Sequence, residues 1–116
     1  MKNKFLICLT VIVISIGCKH EVIVTEDCTV IIPNYTNDIK PILDARCASS
    51  GCHDGNSSAA GVELDTYNSA VSESKKDKFM GSIRHSSGYN PMPVGGKLDD
   101  ISIKKIACWI QNGRLQ

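Results

Sequence analysis

Six cysteines in a chain of 116 residues, at positions 8, 18, 28, 47, 52 and 108, constrain this protein more than any other feature. So many thiols in so short a chain imply disulfides in an oxidising compartment, a metal site, or covalent attachment of a cofactor, and their positions decide which. The chain has room for a single hydrophobic core. Thirteen basic residues against twelve acidic ones leave a formal charge of +1, so the strongly basic footprint of a nucleic-acid binder is missing.

The first two cysteines belong to an address. Lys2 and Lys4 precede an uncharged stretch from Phe5 to Ile16, too short to span a bilayer and of the length of a signal-peptide core. It ends Ser15-Ile16-Gly17-Cys18, which resembles the cleavage and lipidation site of bacterial lipoproteins, with Ser15 where leucine is usual. Residues 1–17 are therefore expected to leave as a signal peptide, with Cys18 lipidated as the new N-terminus; an ordinary secretory signal is the alternative. The expected product is exported and lipid-anchored to a bacterial cell membrane, facing the periplasm or the cell surface. Cys8 is then discarded, and loss of Lys2 and Lys4 leaves eleven basic residues against twelve acidic.

Residues 18–34 read as a tether and an extended lead-in, because Pro33 and Asn34 stop the β-type run Thr29–Ile32 early. Residues 35–116 read as one domain. Ile39, Ile42, Leu43 and Cys47 fall at helical spacing, and Pro41 requires that helix to start nearby, at Thr36 to Asp38. The run Ala48–Gly61 is small, polar and loop-like. Asp65 or Thr66 can cap a short helix reaching about Ser74, and a second short helix fits about Lys76 to His85. Ser86–Lys97 holds three glycines and two prolines and is a loop. The final helix is capped by Asp99-Asp100, carries Ile101, Ile106, Trp109 and Ile110, and stops at Gly113. The fold class is all-α with long loops. Its middle has few large apolar side chains, and only Tyr35, Tyr67, Phe79, Tyr89 and Trp109 supply aromatic bulk, so something besides side chains is expected to fill it.

Chemistry concentrates in Cys47-Ala48-Ser49-Ser50-Gly51-Cys52-His53. Two thiols followed at once by an imidazole follow the logic of c-type haem attachment, each cysteine adding to a vinyl group and the histidine ligating iron. The gap is four residues instead of the usual two, but all four are small enough to bulge outward. Met92 is the candidate sixth ligand, in a loop stiffened by Pro91 and Pro93 and opened by Gly95 and Gly96. His85 is second choice for that position; Met80 fits helix packing better, and His20 is expected to face solvent.

The order helix, thiols plus histidine, methionine loop and Trp-bearing helix resembles a small single-haem c-type cytochrome domain on a bacterial lipoprotein. The match is carried by Asp38–Leu43, Cys47–His53, Ala60-Gly61-Val62, Met92-Pro93 with Gly95-Gly96, and Ile106–Gly113, and spans Tyr35 to Gly113. The resemblance implies that the helices around Ile42 and Trp109 cross over one covalent haem c. Cys28 and Cys108 remain by counting, and two leftover cysteines in an exported protein are expected to pair across about 80 residues.

The resulting expectation is a membrane-anchored electron carrier, not an enzyme, serving redox partner proteins, with haem on Cys47 and Cys52 and with His53 and Met92 on the iron. A haem-based sensor or peroxidase-like enzyme with an open distal site is one alternative. A non-haem binding module is the other, held by disulfides or by zinc on Cys47, Cys52 and His53 with Cys28 or Cys108.

Overall fold

Asn34 begins the helical part of the chain in this computed structural model, which describes residues 26–116. Its side chain accepts from the Asn37 amide at 2.8 Å while Asp38 reaches back to accept from the Asn34 amide at 3.1 Å, so two otherwise orphaned donors are satisfied reciprocally. The first turn, Tyr35–Ile39, is π-helical, and only then does α1 run over Lys40–Arg46. The sequence predicts one continuous helix here. Pro41 explains the difference, because it has no amide to return to Asn37 and sits in the first turn of α1, where none is needed.

The other helices are locally encoded. Thr66 caps α2 (Tyr67–Ser74) in a reciprocal box with Ser69, which resolves the choice between Asp65 and Thr66. The third helix, α3, covers Asp77–Ile83, and α4 covers Asp100–Gln111 behind Asp99, whose carboxylate accepts from the Ser102 amide at 2.9 Å. Gly113, at φ +89°, ends α4: its amide bonds back to Ile110 and the Arg114 amide to Trp109 at 2.8 Å. A 3-10 turn at Ala59–Gly61 closes the long loop after α1. Among the described residues there are helices and no strand.

Trp109, Ile39, Leu43, Ile106 and Cys108 are fully buried, so the core lies where the entry turn and α1 meet α4. Tyr35 stands edge-on to Tyr67, with ring centres 5.3 Å apart, and 6.1 Å from Trp109. The C-terminal tail bolts these pieces together. The Leu115 carbonyl accepts from both Trp109 Nε1 and the Tyr35 amide at 2.8 Å, the Arg114 carbonyl accepts from the Tyr67 hydroxyl at 2.7 Å, and the Arg114 side chain donates to Ser74 Oγ at 2.7 Å.

Cys28 and Cys108 are joined in a disulfide with Cα atoms 5.3 Å apart. This bond ties the lead-in to α4. Asn112 Nδ2 donates to the Ile31 carbonyl at 3.1 Å, and Glu26 pairs with Arg84 at 3.4 Å, so residues 26–34 lie against the helical body. The expected signal peptide, Cys8, the lipidation site Cys18 and His20 lie outside the described residues.

Candidate functional site

The loop after α1 folds back on itself through its own backbone. The His53 amide donates to the Cys47 carbonyl at 3.1 Å, the Ala59 amide to Cys52 at 2.8 Å and the Leu64 amide to His53 at 2.8 Å. Gly51, at φ +82° with open space beside it, makes the turn between the two thiols, and Ser49, Ser50 and Gly51 are exposed. The small spacer thus bulges into solvent. Cys47 and Cys52 are both free thiols, Cys47 buried and Cys52 exposed.

His53 is oriented by a backbone group. Its Nδ1 lies 3.2 Å from the Val62 carbonyl, and a carbonyl can only accept, so Nδ1 carries a proton and in the neutral ring Nε2 is the nitrogen with the free lone pair. This is the arrangement that fixes the tautomer of a metal-binding imidazole.

These side chains meet at a cavity of about 400 Å³, within the rough 300–1,000 Å³ range of small-molecule and cofactor sites. Cys47, Cys52 and His53 reach it from the loop after α1, and Met92, Pro93, Val94 and Gly95 from the loop after α3; Val62, Leu64, Phe79 and Ile83 give it an apolar lining. All four residues singled out by sequence for cofactor binding therefore line one cavity. His85 does not line it, and its Nε2 instead lies 3.2 Å from the Met92 carbonyl. Met80, partly buried, packs against the core.

Three charged residues on this cavity escape a reading of the sequence. Arg46 and Lys78 contribute to the lining. Glu73 is buried there too, its carboxylate 2.5 Å from Lys76 Nζ. Arg46 adjoins Cys47 and follows it to the site, whereas nothing local marks Glu73 or Lys78. Burial pushes the Cys47 thiol up to about 11 against the opposing pull of Arg46, so it stands as a neutral thiol at physiological pH.

The Cys28–Cys108 bond withdraws both sulfurs from the zinc arrangement the sequence left open. Among the described residues, no group of three or more His, Cys, Asp or Glu side chains gathers to hold a metal ion. Likewise, no helix there is long and apolar enough to cross a membrane. Compared with known proteins, the chain matches no family model, no curated protein and no solved structure.

Proposed function

We propose that this protein is an electron carrier that would hold one haem covalently on Cys47 and Cys52, with His53 and Met92 as the side chains that would ligate its iron. One observation carries the reading: one largely apolar cavity is lined by two free cysteines, a histidine whose Nδ1 is held by a backbone carbonyl, and a methionine. The donor set suits an iron that takes one histidine and one methionine, and it gives such an iron no need of a three-residue ligand cluster. The sparse apolar middle of the chain is consistent with a cofactor-built core.

Bound haem would supply a one-electron iron couple, and ligation by a methionine together with a histidine would raise its potential. The protein's own groups do the rest. Cys47 and Cys52 would hold the group through thioether bonds, each S–H adding across a vinyl double bond with no leaving group, while the Val62 carbonyl keeps the His53 ring oriented through Nδ1. Val62, Leu64, Phe79 and Ile83 exclude water, which favours a couple that changes charge without rearranging solvent. Exposed Cys52, and Val94 at 86% exposure, leave one edge of the cavity open to a partner protein. In this reading the carrier is exported, as the Phe5–Cys18 segment predicts, and held to the membrane by lipid on Cys18.

Carbon monoxide separates a carrier from a sensor or peroxidase. The reduced wild-type protein is expected not to bind it, and Met92→Ala is expected to bind it readily. Avid binding by the wild type would mean an open sixth position and an iron built for ligands.

A further inference from the structure

His85 lies two residues past the end of α3 at φ +55°, a left-handed conformation that glycine adopts freely and histidine only at a cost. Its amide donates to the Ser82 carbonyl at 3.1 Å, and its ring turns so that Nε2 lies 3.2 Å from the Met92 carbonyl oxygen. The carbonyl can only accept, so Nε2 carries the proton. The Met92 amide meanwhile donates to the Ser82 carbonyl at 3.0 Å. Both backbone polar groups of Met92 are therefore tied to the last turn of α3 and the residues just after it. The intervening loop is pressed onto the same helix, because the Tyr89 ring lies 2.6 Å from where a Cβ on Gly81 would stand.

We propose that His85 is the positioning residue for Met92: its hydrogen bond to the Met92 carbonyl holds that segment against α3 and presents the thioether to the cavity. This inference rests on the electron-carrier reading above and deepens it, since it moves His85 from competing ligand to support of the ligand. Were residue 85 needed only to end α3, glycine would serve better. A histidine kept in that conformation uses its side chain, and the Met92 carbonyl is the partner the structure records for its ring.

The test uses the full chain carrying covalent haem, in wild type, His85→Gly, His85→Ala and His85→Gln. Methionine bound to ferric haem gives a weak absorption band in the red, and imidazole competes with methionine for the iron. Losing one net neutral hydrogen bond should shift the bound-methionine equilibrium by about fivefold, so the Gly and Ala variants should weaken the red band and bind imidazole about fivefold more tightly. His85→Gln, which keeps a donor, should stay near wild type. His85→Gly should melt no lower than wild type, because it also relieves the left-handed backbone, and this separates positioning from folding. A wild-type red band with unchanged imidazole affinity in the Gly and Ala variants overturns the proposal and leaves the carrier reading standing. A wild-type chain without covalent haem overturns both.

Discussion

Replacing Cys28 and Cys108 together by alanine tests what holds the lead-in and the last helix in one unit. The bond closes a loop of 80 residues that contains both the Cys47–His53 segment and Met92. On the chain-entropy relation, freeing a loop of that length gives the unfolded chain about 15 cal/mol/K, or roughly 4.5 kcal/mol at about 25 °C. The remaining ties on residues 26–34 are slight by comparison. The Asn112–Ile31 hydrogen bond contributes about 1 kcal/mol, and the partly exposed Glu26–Arg84 pair at most about that. Small domains unfold with only about 5–15 kcal/mol in hand, so the double variant should fall close to the limit of folding. Urea unfolding followed by far-ultraviolet circular dichroism should show the midpoint dropping by several molar, taking a urea dependence of about 1 kcal/mol/M for a chain of this size. A drop below about 1 M, or recovery of both cysteines as free thiols from the untreated wild type, would refute the reasoning.

Two further outcomes follow from contacts. In Gly81→Ala the new methyl would stand 2.6 Å from the Tyr89 ring, and thermal unfolding should reveal a loss of about 1–3 kcal/mol; a second change, Tyr89→Ala, should abolish that clash. The Cys47 thiol makes the haem-free protein sensitive to alkali. Its folded value of about 11 lies above the ordinary 9.0, so the folded state keeps the proton longer than the unfolded chain. The associated stability is complete below about pH 9 and disappears as pH rises towards 11, at most roughly 2–3 kcal/mol. Comparing wild type with Cys47→Ala by urea midpoint at both ends of that window measures it, and equal slopes would show that the thiol is not buried as described.

What was legible in the sequence depended on how local each cause was. Thr66 and Asp99 cap helices through side chains that reach only three residues ahead, so residue type alone narrows each cap to a neighbouring pair, Asp65 or Thr66 and Asp99 or Asp100. The Cys28–Cys108 pair was reachable by counting, since the other thiols had other readings. The π-helical first turn was not legible, because it lies between a cap at Asn34 and a proline at position 41 that has no amide to return, each unremarkable alone. Nor was the tail: the groups that accept from Trp109, Tyr35 and Tyr67 are the carbonyls of Leu115 and Arg114, and backbone acceptors carry no residue code. The same limit hid the Val62 carbonyl behind His53 and the Met92 carbonyl under His85. Cys47, Cys52, His53 and Met92 stood out because their side-chain chemistry is rare, whereas Glu73 reached the cavity only through the way α2 packs.

Whether Cys47 and Cys52 carry haem is decided by the mass and absorption of the exported protein under denaturing conditions, after expression with haem-attachment machinery. Covalent attachment should give a mass higher by one haem, a haem spectrum that survives denaturation, and a Cys47–His53 peptide that carries the group and resists alkylation at both cysteines. A colourless chain at its unmodified mass, with Cys47 and Cys52 both open to alkylation, would contradict it.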